Sequence, residues 1–363
     1  MRPLAGITVV DAGAYVSAPF AALQFADLGA EVIKVEPPSG DPGRKFGARY
    51  RGTSYLFAAN SRNKRSVVCD LKTPEGLQRF DELLARSDVL FSNWRPGVAE
   101  GFGLTAAGVV NRYPALVWVR ISGYGQDGPR ADYPAFDSVL QAKGGGMAGG
   151  GRDPVFARGY TADKVSGTLA AQAALAVLHT RHTTGRGAVV DVSMLDAMAY
   201  WNSPDVLGGH AVLDAVEPRV LQLLDAARPV RTKDGWMVVA AVSGQQIKRA
   251  LATVEHPEWL AQLKAAPSPA EMAETLYRLF DTVLPDRTSS EWEDAFRAHD
   301  VPAASVLEPE AHFQDAQVVH NRTYHVVDDP LFGSMRVVRH PALFDGAPVE
   351  TDDLPIPPLH VSD

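Results

Sequence analysis

The first third of the chain repeats one pattern, a short strand-favouring run followed by an amphipathic stretch, and that pattern restricts the fold most. GITVVDAG, AEVIKVEP, RSVVCDLK, SDVLFSNW and LVWVRISGYG each hold four or more strand-favouring residues and end in polar or glycine-rich turns. FAALQFADLGA and TPEGLQRFDELLARSD lie between them and read as helices. The second has a well-formed start: Thr73 can cap, Pro74 suits the first helical position, and Glu75 favours the positive helix end. Strands alternating with helices imply βαβ units and an α/β fold with a mostly parallel sheet. Such sheets gather ligands beyond the carboxyl ends of their strands. DAGAYVSAP, EPPSGDPGR, SNWRPG and SGYGQDGP occupy those ends.

Further along, a glycine-rich loop begins at Gly144, with Gly145 and Gly146, and a long alanine-rich helix follows Asp163. GRGAVVDVSML reads as another strand leading into a helix at DAMAYW. The pattern weakens over residues 206–229, as in a linker. TKDGWMVVAAV then reads as a turn and strand, helices run to about His299, and SMRVVRHPALF reads as a strand before a Pro-rich tail. A length of 363 residues suits two domains. A division at 1–205 and 230–324, with segment 325–363 returning to the first, is expected. There is no internal repeat or low-complexity segment.

Charge and cysteine content exclude some functions. A formal net charge of −8 argues against general nucleic-acid binding, though not against an anionic ligand held by a few local cations. Cys69 is the one cysteine, so no disulfide forms within the chain, as suits a reducing cytosol. Met1 to Val10 lacks a basic-then-apolar signal pattern, and no apolar stretch approaches the roughly 20 residues of a membrane span. A soluble, cytoplasmic protein is expected.

Familiar motifs are incomplete. Gly13 to Ala18 has one glycine where a dinucleotide fingerprint needs three, and Glu36, about 20 residues on, is an ordinary strand-ending acid. GGGMAGGG lacks the Gly-Lys-Ser/Thr ending of a phosphate loop, which leaves tight packing or mobility as its plain reading. His179 and His182 share a helix face without acidic or cysteine partners, so no metal site is expected. Cys69 reads as a packed small residue, and no G-x-S-x-G elbow occurs. Asp163, in RGYTADKVSG, stays open between two roles. It can cap the long helix, and backbone donors with the helix dipole would then keep it ionised. An oriented carboxylate of that kind can also be a covalent nucleophile. Gly167, Ala170 and Ala171 leave room beside it for a substrate or second chain.

Read in order, the motifs resemble the family III CoA-transferases, whose members include formyl-CoA transferase and α-methylacyl-CoA racemase. PLAGITVVDAG, FADLGAEVIKVEPPSGDPGR, NKRSVVCDLKTPEG and DVLFSNWRPGVAEGFGL follow the family's opening blocks. ISGYGQDGP, AFDSVLQAKGG, ADKVSG, HTTGRGAVVDVSMLDA, RTKDGWMVVAA and VPAASVL continue the match almost to the end.

The resemblance implies a Rossmann-like large domain plus a smaller α/β domain, and two chains interlocked as linked rings in a homodimer. It implies coenzyme A thioester and a carboxylic acid as substrates, with no permanently bound cofactor. It makes Asp163 the nucleophile and Asp137 a second-rank candidate for orientation or proton handling. It places CoA contacts at Val16, Lys72, Asn93, Trp94 and Phe136, with Arg44 and Arg95 as plausible additions. The Gly144–Gly151 loop becomes a candidate lid or source of N–H donors.

Some positions depart from the family. Pro37 stands where an Arg often follows the Glu of VIKVE, and Gly101 stands where some transferases have Arg. The tetraglycine loop of formyl-CoA transferase has no counterpart after residue 200. Racemases carry a histidine before the AFD aspartate, whereas this chain has Phe136, which carries no proton. CoA transfer is therefore the expected activity, with racemization and non-catalytic CoA binding as alternatives. Met147, Ala148, Phe156 and Ala157 suggest an apolar acyl group, whereas Arg158 would suit a second carboxylate.

Overall fold

Residues 1–147, 153–207, 211–214 and 227–359 are described by a computed structural model of the chain. The chain divides into two units, one of Met1–Gly208 with Arg322–Asp363 and one of Gly209–Asn321. Most of the expected linker, 206–229, lies outside the described residues.

The first unit is built on the alternating segments. In chain order they are β1 (Thr8–Asp11), α1 (Ser17–Asp27), β2 (Glu31–Glu36), a short β3–β4 hairpin (Arg49–Tyr50, Thr53–Ser54), α2 (Tyr55–Ser61), β5 (Lys64–Val68) and α3 (Pro74–Ala85). Then come β6 (Val89–Ser92), α4 (Val98–Gly101), α5 (Ala106–Arg112), β7 (Val117–Ser122), α6 (Asp137–Lys143), α7 (Thr161–Thr184), β8 (Val189–Ser193) and α8 (Met194–Asn202). Thr73 caps α3 through its side chain, which accepts from the Gly76 N–H, a contact worth about 1 kcal/mol.

Six strands pair in the order β5-β2-β1-β6-β7-β8, and every pairing is parallel. Val9 stands between Val32 and Val89 in this register. Helices cover both faces, as a parallel sheet requires. Phe25, Val119, Ala170 and Leu140 belong to one apolar layer, and Phe80, Leu84, Leu90 and Trp118 to the other. Chain order reverses between β1 and β6, so the loops leaving their carboxyl ends diverge and leave a crevice.

The long helix α7 packs along α1 through small residues. Ala170, Ala171 and Ala174 are buried with Ala18, Ala21 and Ala22. A Cβ at Gly167 would lie 2.7 Å from the Ser17 carbonyl oxygen, so only glycine admits this approach. The small face expected to admit a substrate or second chain is thus filled by α1. Apolar packing needs close contact, and α1 is the element that supplies it.

The tail of this unit forms an antiparallel pair, Tyr324–Asp329 with Gly333–Val338, and Ile356 packs with Phe57 and Ala58 of α2. The other unit has a three-stranded antiparallel sheet of Val230–Arg231, Trp236–Val239 and Ala303–Ser305. Its helices include Gly244–Thr253 and Ser289–Ala298, each opened by a capping box, and its core holds Phe280, Trp292 and Phe296.

Candidate active site

The turn after β1 is fixed by buried charge. Lys34, on β2, donates to the Gly13 carbonyl at 2.8 Å and pairs with Asp41 at 2.8 Å. Asp41 accepts from the backbone N–H groups of Tyr15 and Gly43. Lys64, on β5, donates to Asp11 at 2.8 Å and to the Pro19 carbonyl at 2.7 Å. Burial pulls the Lys64 ammonium down to about 8, against the attraction of Asp11. Tyr15 sits at φ 61°, a left-handed conformation uncommon for an aromatic residue, and is held there by these bonds. The result is a rigid turn that delivers the N-terminus of α1 to the sheet's carboxyl edge.

Asp163 meets that N-terminus. It is the third residue of α7 rather than its cap: Tyr160 holds the cap position, and no side chain caps there. The expected N-cap role is therefore corrected. The Asp163 carboxyl lies near the start of α1, where Ser17 favours its charged form. Asp137 instead takes the Asp163 N–H, at 3.2 Å through Oδ1.

Gln141, which sequence reasoning missed, binds the other Asp137 oxygen at 2.7 Å. Its amide also accepts the Ala157 N–H and donates to the Gly159 carbonyl, tying the segment before α7 to α6. Ser17 was also missed. A serine opening a helix reads as ordinary capping, and its nearness to Asp163 exists only in three dimensions.

Capping was expected to keep Asp163 ionised, but its surroundings act the other way. Burial, with the neighbouring Asp137 charge, pushes its carboxyl up to about 7, while Ser17 opposes that rise. A carboxylate poised near neutrality is common at catalytic positions.

The expected CoA contacts divide by accessibility. Lys72 and Arg95 are exposed cations. Val16 is buried at 2% exposure, so only its backbone can meet a ligand. Arg44 is engaged by Glu36 through two bonds of 2.7 and 2.6 Å, by the Pro357 carbonyl, and by stacking 4.1 Å from the Phe57 centroid. Asn93 spends its amide on Ala14, at 2.9 and 2.8 Å, and on the Ser17 hydroxyl at 3.0 Å. Trp94 is half-buried between Phe80 and Phe102.

Phe136 caps the start of α6 with no side-chain bond, is 60% exposed, and meets Tyr15 edge-on at 5.7 Å. Phe46 also contacts Tyr15 and reaches Tyr160, so an aromatic group surrounds the approach to the Asp163 segment.

Gly144 packs where a Cβ would lie 2.6 Å from the Met198 Cβ, and its carbonyl accepts from Asn202. Gly145 takes φ 81°, and Gly146 lies against the Asn202 amide. Ala148 and the remainder of the loop to Gly151 lie outside the described residues. Phe156 and Arg158 are exposed, and Cys69 is buried. His179 and His182 are both exposed along α7. No helix among the described residues is long and apolar enough to cross a membrane.

The site thus brings together two carboxylates, Asp163 with a raised pKa and Asp137 bonded to its N–H, an arrangement suited to acyl chemistry on a carboxylate. Comparisons with known proteins identify relatives that transfer CoA. Over 348 residues the chain is 31% identical to succinyl-CoA–D-citramalate CoA-transferase of Chloroflexus aurantiacus, covering 93% of this chain and 86% of that one. It is 28% identical to succinyl-CoA:glutarate CoA-transferase of Homo sapiens, covering 93% and 79%. The crystal structure of a CaiB/BaiF family protein from Brucella suis superposes with a TM-score of 0.83 at 25% identity, covering 98% and 96%. The profile of CoA-transferase family III matches residues 4–360. The chain belongs to that family and is an enzyme that transfers CoA.

Proposed function

We propose that this enzyme moves CoA from an acyl-CoA to a carboxylic acid through covalent intermediates on Asp163. The Asp163 carboxylate attacks the thioester carbonyl, forming a mixed anhydride and releasing CoA thiolate. The thiolate attacks the aspartyl carbonyl, which frees the donor acid and leaves an aspartyl-CoA thioester. An acceptor carboxylate reverses the sequence and departs as its own CoA ester. The observation that carries this reading is the placement of Asp163 in the first turn of α7, its N–H held by the Asp137 carboxylate, in a chain whose family transfers CoA.

Asp137 fits a positioning role, since its carboxylate holds the first turn of α7 and is itself fixed by Gln141. Lys72 and Arg95, exposed and cationic, suit the CoA phosphates. The backbone of Val16, the Trp94 ring edge and the Phe136 ring complete the proposed CoA contacts. Asn93 and Arg44 serve by holding the pocket wall. Gly144 to Gly146 anchor the loop that would cover the site.

The large unit is proposed as a Rossmann-like domain completed by the C-terminal segment, working in the cytoplasm as an interlocked homodimer. The relatives' names point to dicarboxylic acids, while the aromatic group of Tyr15, Phe46, Phe136 and Tyr160 suits an apolar acyl chain.

The test is an exchange assay pairing succinyl-CoA or an aryl-CoA with a panel of free acids, comparing wild type with Asp163→Ala. Exchange in the wild type and none in the variant is expected. Deuterium entering the α-position of a 2-methylacyl-CoA without an acceptor acid would instead identify a racemase.

A further inference from the structure

The long helix α7 opens without a cap of its own. Tyr160 makes no side-chain bond there, and the first N–H groups of a helix have no partner within it. The Asp163 N–H, one of those groups, is taken by Asp137 Oδ1 at 3.2 Å, so the cap comes from α6. Gln141, one turn along α6 and 3% exposed, donates through Nε2 to Asp137 Oδ2 at 2.7 Å and to the Gly159 carbonyl at 3.3 Å. Its Oε1 accepts the Ala157 N–H at 3.0 Å. Two backbone groups of opposite kind thus fix the amide. Turned over, it would set an N–H against the Ala157 N–H and an oxygen against the Gly159 carbonyl. In the fixed orientation Asp137 faces a donor at each oxygen, which suits a carboxylate that accepts and does not donate. Among the described residues no Lys or Arg pairs with Asp137, which is 8% exposed, so these donors are what compensates its charge.

We propose that Gln141 is a positioning residue for CoA transfer: it aims the Asp137 carboxylate that caps α7 and holds the backbone entering that helix, so that the nucleophile keeps one orientation toward the thioester. This rests on Asp163 being the nucleophile. The entering chain bends at Gly159, at φ 84°, between the residues that Gln141 binds and the first turn of α7. Entry and first turn are therefore set by one amide. Releasing it frees the Asp163 backbone to tilt, and attack on a thioester loses rate steeply when the nucleophile is misplaced. The cations and ring proposed to meet CoA, Lys72, Arg95 and Trp94, follow β5 and β6 instead, so acyl-CoA binding is spared. An Asp137 that accepts at both oxygens is also no proton shuttle, which separates it from the acid–base partner that racemization needs.

The experiment measures aspartyl-CoA thioester formation by rapid quench and intact-protein mass, beside steady-state kcat and KM, with succinyl-CoA and an aryl-CoA as donors. It compares wild type, Gln141→Leu, Gln141→Glu, Asp137→Asn and the double variant of the last two. Gln141→Leu removes all three bonds at similar volume. It should slow adduct formation and kcat by about 10- to 10²-fold, with KM for acyl-CoA little changed. Gln141→Glu sets one carboxylate against another, and Asp137→Asn sets one amide N–H against another, so each should be slowed similarly. In the double variant the new amide donates to the new carboxylate, which still accepts the Ala157 N–H. It should run about tenfold faster than either single variant, a coupling that lost packing alone does not give. If Gln141→Leu does not fold, Gln141→Glu against the double variant decides. Adduct forming at the wild-type rate in Gln141→Leu, KM rising in step with the fall in kcat, or a double variant no faster than the singles overturns this assignment while leaving Asp163 as nucleophile. No adduct in the wild type from either donor overturns the Asp163 reading and this assignment with it.

Discussion

In the proposed mechanism the chemistry depends on Asp163, and its pKa would set how the enzyme responds to pH. Attack needs the ionised carboxylate, and burial with Asp137 brings its pKa to about 7. In a pH profile, kcat/KM for acyl-CoA should therefore climb through about pH 7 and level off above it. A limb near pH 4 would show that the carboxyl is not held as described. The same shift acts on stability. A carboxyl whose folded pKa is raised binds its proton more tightly in the folded state, so folding weakens from the unfolded pKa up to the folded one. Asp163→Asn should match wild type in urea unfolding below pH 4. It should become roughly 2–4 kcal/mol more stable above pH 7. Asp163 itself was legible, because a carboxylate at a helix start suggests both capping and catalysis. Its true position was not legible, since Ser17, Asn93 and Asp137 lie far away in sequence and converge only through the fold.

At the scale of elements, the site depends on α1 and α7 holding their close approach. Gly167 is where that approach is tightest, with a Cβ placed 2.7 Å from the Ser17 carbonyl oxygen. Gly167→Ala must push the helices apart, at a cost of about 1–3 kcal/mol. It should also lower kcat by about 10- to 10²-fold, because moving α7 away from α1 shifts Asp163 relative to the substrate. Calorimetry and steady-state assays check both. The turn feeding α1 depends equally on Lys64, and Lys64→Ala, which leaves Asp11 under-compensated in the interior, should cost about 3–5 kcal/mol in urea unfolding. The strands and long helices were plain in the sequence because apolar runs alternate with amphipathic ones. Lys34 and Lys64 hid their role there. A lysine in a strand reads as solvent-facing, and only the partners Asp11 and Asp41 make its burial tolerable.

For the whole molecule, the parallel order of the sheet follows from the βαβ alternation, whereas the strand order does not. The reversal between β1 and β6 is what brings the Ser17 turn and the Asn93 loop to one crevice. Exposed aromatics remain on the first unit, with Tyr200 at 72% and Trp201 at 61% exposure on α8. They suit burial against a second chain. An interlocked homodimer predicts twice the chain mass in sedimentation. Tagged and untagged protein should then exchange no subunits on mixing unless denatured, and rapid exchange would rule out linked chains.

The account as a whole is tested most directly by trapping the intermediate. Wild type incubated with an acyl-CoA and quenched with borohydride, then digested and mapped by mass spectrometry, should show Asp163 reduced to homoserine. The other carboxylates, Asp137 included, should be unchanged. Exchange activity in the same sample with Asp163 unmodified, or with the label at Asp137, would contradict the mechanism.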